Sequence, residues 1–341
     1  MTPSSHRSHL IDLVFGQMAA QVVAAAARLR LADEFDACEC TSPDLAVKLG
    51  TDTVATTRFC RTLTALGLLT ETKPESFQLT MVGALLRTDR EDSLNEFVQM
   101  FTEPLIQAAW HQLDTALLTG NPSFDTIFGA KFFDHLTANP ELSARFNTMM
   151  RQGGGPTARI LPHCYDFSRF HTVADIGGGD GTLLAEILRA HTDVRGILFD
   201  TATGIAQSHA VLSDANITSR CTVFVGDFFN AVPAGADLYL LKSILHDWDD
   251  DRATSILTHI RQVLPATGRL LIMEPVLPDV VDSSIPDTVY LSDLNMLVNN
   301  GGRERTRTDF ELLCRRSGFT IVSIGKLPSP EIFSLIEARN A

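Results

Sequence analysis

The sequence predicts an α/β fold: a mostly parallel sheet with helices on both faces, preceded by a mainly α domain of winged-helix pattern. Three observations point there. From about His171 onward, short apolar strand-like runs alternate with amphipathic helical stretches. The first of those runs, "TVADIG", opens directly into the glycines Gly177, Gly179 and Gly181. Before His171 the pattern is helical almost throughout, with one hairpin signal at Lys73-Pro74.

In the N-terminal part, the stretch from Leu10 to Phe35 is Ala-rich and has few charges. A helix apolar around most of its girth is normally buried on several sides. In a small domain a partner chain must supply part of that cover, so a homodimer is expected. Next, Thr41 or Ser42 can cap a helix, Pro43 suits its first turn and Gly50 ends it. A second helix follows and stops near Gly67. Two short strands then flank Lys73-Pro74, and another helix follows. Helix, turn, helix, hairpin is the winged-helix pattern. Its basic residues (Lys48, Arg58, Arg61, Lys73, Arg87) are offset by Asp44, Asp52, Glu71 and Glu75. With a net charge of -13 on the chain, binding to a phosphate backbone is disfavoured, and dimerisation is the expected role. Between Ser93 and Phe167 more helix is expected, with one segment closing at Gly120. Another, "PELSARFNTMM", is expected to end before Gly153, Gly154 and Gly155.

The remaining elements follow in order. Strands are expected at "TVADIG", "RGILFD", "RCTVFVGDFF", "DLYLLKSIL" and "GRLLIMEP", and helices at "TLLAEILRA" and "DDDRATSILTHIRQVL". A helix at "TRTDFELLCRRSGF" and two final strands, "TIVSIGKL" and "EIFSLIEAR", close the chain. Expected boundaries are 1–105 for the winged-helix domain and 106–341 for the second domain. The latter divides into a helical segment at 106–170 and a sheet core at 171–341.

With 341 residues, 45% hydrophobic and 20% charged, the chain is long enough for two domains with full cores. No apolar run is expected to approach the ~18 residues of a membrane span, and no secretory signal is expected. The six cysteines are scattered and lack paired metal-ligand spacing. Reduced thiols in a cytoplasmic protein are expected, with no membrane and no nucleic acid as partner.

Ligands of such sheets bind at the carboxyl ends of the strands. Gly177, Gly179 and Gly181 form GxGxG, and Thr182 stands where a dinucleotide fingerprint has its third glycine. The Gly-Lys-Ser/Thr of a phosphate loop is absent. The pattern therefore suits a nucleoside without a pyrophosphate. Asp175 suits a cationic amino group, and Asp200 at the end of "ILFD" can accept both ribose hydroxyls. Asp227 and Phe228 in "VGDFF" can read and stack on adenine. Any one of these acids reads equally well as a turn residue. Three of them after three successive strands, beside the glycines, point to a site.

This order resembles the Rossmann-like S-adenosylmethionine-dependent methyltransferases. The segments "LLKSILHDWDDDRATSILTHIRQVLPATGRLLIMEPVLP" and "DLNMLVNNGGRERTRTDFELLCRRSGF" narrow the resemblance. Together with the N-terminal winged helix, they are similar to plant caffeate and isoflavone O-methyltransferases and to bacterial relatives acting on polyketide and phenazine antibiotics. The resemblance covers residues 10 to 335. It implies S-adenosyl-L-methionine as cofactor, an aromatic small-molecule acceptor and a homodimer built on the N-terminal domain. It also implies His246 as general base, flanked by Glu274 and Glu304. The implied cofactor contacts are Gly177, Asp200, Asp227, Phe228 and Lys242, to which the residue pattern adds Asp175 and Gly179. The implied acceptor contacts are Met150, Asp247, Met296 and Asn300. The loop before "GGRERT" is one residue shorter than in the plant enzymes, so Asn299 is the alternative to Asn300. The chain also departs from the family in "DTAT" after the second strand and in the glycine-rich "QGGGP" at 152–156.

The chemistry follows from the residues. A sulfonium methyl is already activated, so the protein must align an oxygen with it, exclude water and remove a proton. A neutral imidazole is suited to the last task. Glu274, one strand after His246, is expected to accept from the imidazole nitrogen turned away from the substrate. Three other readings exist. His246, Asp247, Asp249, Asp250 and Asp251 could hold a divalent metal, although Asp249 to Asp251 also suit the first turn of a helix, and no metal is expected. A non-catalytic winged-helix regulator binding the same cofactor is the second, and methylation of nitrogen is the third.

Overall fold

The computed structural model describes residues 3–35 and 39–341, so Cys38 lies outside the described residues. The chain forms two compact units. One is Met1–Gln107 with Thr148–Gly153, and the other is Ala108–Asn147 with Gly154–Ala341.

The first unit starts with a long helix, Pro3–Arg28. Its C-terminal half is packed, with Ala24, Ala26 and Ala27 buried, whereas Leu10, Leu13, Val14, Phe15 and Met18 are each more than half exposed. His6–Arg28 is also long and apolar enough, by length and composition alone, to cross a membrane. This corrects the expectation that no run comes near that length. Gly16, Gln17 and Gln21 break the apolar stretch in the sequence but not the helix. After it come helices Ser42–Leu49 and Thr53–Ala65. Thr41 caps the first through Asp44 N–H, Asp52 caps the second through Ala55 N–H, and Gly50 terminates the first in the left-handed region. The wing is β2 (Leu69–Lys73) and β3 (Ser76–Leu79), with the short β1 (Cys40–Thr41) on the far side of β3. The core is Leu31, Phe35, Leu45, Cys60, Leu63 and Phe77, all almost wholly buried. The winged-helix pattern is therefore formed as expected.

The second unit carries the larger sheet. Its strands are β4 (Thr172–Ile176), β5 (Arg195–Asp200), β6 (Cys221–Val225), β7 (Leu238–Lys242), β8 (Arg269–Leu277), β9 (Arg305–Thr306), β10 (Phe319–Lys326) and β11 (Phe333–Asn340). The order is β10-β11-β8-β7-β4-β5-β6, with β9 alongside β8. β6, β5, β4, β7 and β8 run parallel, and β11 and β10 are antiparallel. Chain order reverses at β4, where β5 lies on one side and β7 on the other, and ligand crevices form at such a switch point.

Both faces of the sheet are covered, so the central strands are largely apolar, Asp175 and Lys242 lying near their carboxyl ends. Residues of β4 and β7 alternate between two cores. Ala174, Ile176, Tyr239 and Leu241 meet Ile256 and Ile260 of helix Asp250–Val263 and Phe310 of helix Arg307–Arg316. Val173, Leu238 and Leu240 share the other core with Leu184 and Leu188 of helix Thr182–Ala190. Three local expectations change. β7 ends at Lys242 rather than at Leu245, because Ser243 takes φ 54 and turns the chain out of the sheet. A helix at Asp287–Asn299 follows β8, where the alternation indicated none. The helix begun at Pro140 runs on to Cys164, straight through the glycines and Pro156. These glycines serve close packing: a Cβ at Gly153 would lie 3.1 Å from the Phe97 ring, and one at Gly154 3.2 Å from Lys242 Nζ.

Candidate active site

The glycine turn leaves β4 at Ile176. Gly177 (φ 73) and Gly179 (φ 57) adopt left-handed backbone that side chains resist. A Cβ at Gly177 would also come within 2.4 Å of Ile244. The turn is tied to the next strand: Gly179 N–H donates to Asp200 Oδ2 at 2.8 Å, and Thr201 N–H donates to Asp200 Oδ1 at 2.6 Å. Burial pushes Asp200 above the usual carboxylate range, against the pull of those amides. Asp175 is deeper, 2% exposed, and its Oδ2 has no hydrogen-bond partner among the described residues. Burial pushes it up to about 7, with nearby Asp200 adding and Lys242 opposing. Lys242, the last residue of β7, lies over the Phe333 ring at 5.1 Å. Burial draws its pKa down, against Asp175, Glu274 and Glu331.

After β6, Asp227 accepts from Phe229 N–H at 2.8 Å and from Asn230 Nδ2 at 3.1 Å, which fixes its turn. Phe228 meets Phe229 edge-on at 4.8 Å, and Phe229 meets Trp248 at 4.7 Å. Aromatic surface thus continues from the end of β6 to the turn after β7.

That turn carries His246. With Ser243 left-handed, the amides of Ile244, Leu245 and His246 converge on one acceptor, Glu274 Oε1, at 3.0, 2.7 and 3.3 Å. The imidazole Nδ1 lies 2.9 Å from Glu304 Oε1 and 3.8 Å from Glu274 Oε2. Nε2, the nitrogen not held by Glu304, is 3.9 Å from Asp247 Oδ1. Glu304 Oε1 also accepts from Ser292 Oγ at 3.1 Å, and Asp293 accepts the Glu304 amide at 2.8 Å. Both glutamates are buried. Burial alone would lower the pKa of His246, but Glu274, Glu304 and Asp247 outweigh it and carry the imidazole up to about 10. Burial in turn lifts Asp247 to about 6, with His246 opposing. Burial also raises Glu274, again against His246.

Two sequence expectations are corrected by this geometry. Glu304, not Glu274, takes the outer imidazole nitrogen, while Glu274 mainly holds the backbone of the turn. The imidazole is also no near-neutral base at rest, because three acids around one buried ring favour its protonated form.

The remaining expected residues divide. Asn300 Nδ2 donates to Asp247 Oδ1 at 2.7 Å and approaches Met296 Sδ at 3.8 Å, so Asp247, Met296 and Asn300 come together. Asn299 turns back to Asn295 at 2.9 Å and is buried, so of the two it is Asn300 that meets Asp247. Met150 is 37% exposed and lies in the stretch Thr148–Gly153 of the first unit. Sequence reasoning missed two supports within "GGRERT". Gly302 packs so tightly that a Cβ would lie 2.0 Å from His246 O. Arg305 is fully buried beneath the same turn. The double glycine was the available signal for the first.

Residues 110–320 match the O-methyltransferase domain model and residues 11–89 the O-methyltransferase dimerisation domain model. The chain therefore belongs to the O-methyltransferase family, and it is an S-adenosylmethionine-dependent enzyme. It is 45% identical to O-demethylpuromycin-O-methyltransferase of Streptomyces alboniger over 97% of this chain and 89% of that one. It is 37% identical to a phenazine O-methyltransferase of Lysobacter antibioticus, over 97% and 96% of the two chains. Among solved structures, it resembles an O-methyltransferase from neocarzinostatin biosynthesis in complex with S-adenosylmethionine and 2-hydroxy-5-methyl naphthoic acid. There the TM-score is 0.80 and the identity 29%, covering 95% and 96% of the chains. The residues at the strand ends fit that cofactor. Asp175 offers a buried unpartnered carboxylate oxygen to an ammonium group, and Gly177 and Gly179 keep the backbone bare beside it.

Proposed function

We propose that this enzyme methylates a hydroxyl on an aromatic natural product, with His246 as general base. The carrying observation is the 2.9 Å contact between His246 Nδ1 and buried Glu304, with Glu274 and Asp247 close by. Glu304 fixes the ring and its tautomer, so Nε2 is the nitrogen left to take a proton. S-adenosylmethionine supplies an activated methyl group when bound. Asp200, Asp227, Phe228, Lys242 and Asp175 hold it at the strand ends. Asp247, Met296 and Asn300 line the acceptor side. An imidazole this basic keeps the proton it takes from the acceptor, so the oxygen reacts as a phenolate. The neutral ring is scarce at neutral pH, and turnover should rise with pH toward 10. Aromatic acceptors are supported by the names of the relatives and by the aromatic surface from Phe228 to Trp248.

The enzyme acts as a homodimer, supported by the exposed apolar face of the first helix and the dimerisation-domain match. It works in the cytoplasm, a reading supported by the scattered cysteines, which lack paired spacing in the sequence.

The test supplies S-adenosylmethionine with O-demethylpuromycin, a hydroxyphenazine and a hydroxynaphthoate, and follows methylated product by mass. His246→Ala should reduce turnover by about 10²–10⁴-fold and leave cofactor affinity nearly intact. Wild-type turnover in that variant would sink the assignment. A metal-assisted reading has one observation in its favour: ligand atoms of His246, Glu274 and Glu304 lie within 4.8 Å of one another. Abolition of turnover by a chelator, with rescue by a divalent metal, would favour it over the base.

A further inference from the structure

We propose that Arg305 is a positioning residue for His246: its guanidinium grips the carbonyl side of the turn whose amide side Glu274 holds. This rests on the reading of His246 as base. Arg305 is 1% exposed, and each nitrogen of its fork is engaged. Nη1 donates to Leu245 O at 2.6 Å and Nη2 to Trp248 O at 2.8 Å. Nε and Nη2 both donate to Asp250 Oδ1, at 3.1 and 2.9 Å. The two carbonyls bracket His246 and Asp247 in the chain.

A short irregular turn leaves backbone groups without ladder partners, and buried ones must find others. Here the donors go to one carboxylate and the acceptors to one guanidinium. Each is charge-assisted and stronger than a neutral bond. Arg305 also follows Glu304 directly, so one dipeptide holds the ring through Glu304 and the backbone beneath it through Arg305. Only a planar fork reaches two carbonyls and a carboxylate at once. A lysine ammonium keeps the charge but not this geometry. Asp250 begins the helix Asp250–Val263, so the fork also ties the turn to a rigid element.

The experiment compares Arg305→Lys with the wild type, using whichever of the three acceptors turns over. A misplacement of about 1 Å can cost on the order of 100-fold. Arg305→Lys should therefore lower kcat by about 10- to 100-fold, with the KM for S-adenosylmethionine and its calorimetric affinity nearly unchanged. In the His246→Ala background the same substitution should add almost no loss, because the base it positions is gone. Asp250→Asn loosens the fork from its more exposed side and serves if the lysine variant fails to fold. It should show a smaller loss with the same dependence on His246. A folded Arg305→Lys enzyme with wild-type kcat overturns the proposal. So does a loss that persists undiminished without His246, which would mark Arg305 as general support for the fold. If His246→Ala itself turns over normally, the base reading fails first, and this proposal falls with it.

Discussion

Replacing Glu304 with glutamine keeps the shape beside His246 and removes one charge. The effect can be sized from the contact. Delocalisation over ring and carboxylate puts the charge centres about 4 Å apart, worth ~4 kcal/mol at an effective dielectric of about 20. That corresponds to about 3 pKa units. The glutamine oxygen can still accept from Nδ1, so a drop of about 2–3 units is expected, from about 10 toward neutrality. Histidine labelled with nitrogen-15 reports this directly by NMR titration, with His246→Asn identifying the signal among ten histidines. The same change shows in stability. A raised histidine stabilises the fold fully below its unfolded pKa near 6.5 and loses that contribution as pH rises through about 10. The deficit of the variant should thus be largest below 6.5 and shrink toward 10. On the proposed base role, the rising limb of the rate profile should move to lower pH while its plateau falls, since the imidazolium formed in the reaction loses its partner. An imidazole pKa that stays in place in Glu304→Gln would refute the electrostatic argument.

Three further outcomes follow from the geometry. Glu274→Gln weakens three amide bonds to a charged acceptor, so thermal unfolding should show a loss of about 1.5–3 kcal/mol; an unchanged melting temperature would contradict its role as backbone anchor. Asp175 is raised to about 7 by burial, so its ionisation costs stability as pH climbs from the unfolded value of 3.8 through 7. Asp175→Asn should therefore stabilise the cofactor-free protein at pH 8 by on the order of 4 kcal/mol, do little at pH 4, and weaken cofactor binding; equal effects at both pH values would count against it. Replacing Leu13 and Phe15 together with glutamate should convert the dimer to monomers by light scattering, and a dimer that survives would move the interface elsewhere.

Much of this architecture was legible in the chain. A parallel sheet covered on both faces needs apolar strands alternating with amphipathic helices, and Thr172–Ile176, Thr182–Ala190 and Arg195–Asp200 show that in their sequence. The glycine turn and the three strand-end acids were legible for the same reason, since local backbone demands a local residue. Tertiary contacts were not. Gly153 and Gly154 read as a helix stop, yet they serve side chains distant in sequence. Two glutamates flanking one histidine were implied by the family resemblance, but not which of them would reach Nδ1, because that depends on the direction in which Ser243 turns the chain. Arg305 sits in a polar, charged stretch of sequence, a composition that ordinarily marks solvent-facing surface.

Gly302 has a practical meaning for anyone seeking to change what this enzyme accepts. Its α-carbon is pressed against the main chain of His246, so even an alanine there would shift His246, the proposed base. A library that varies the "GGRERT" loop would mostly sample broken catalysts and mistake them for poor binders. Randomising Met296, which lies on the preceding helix and is proposed to line the acceptor side, leaves that seam intact and would let selectivity be read apart from competence.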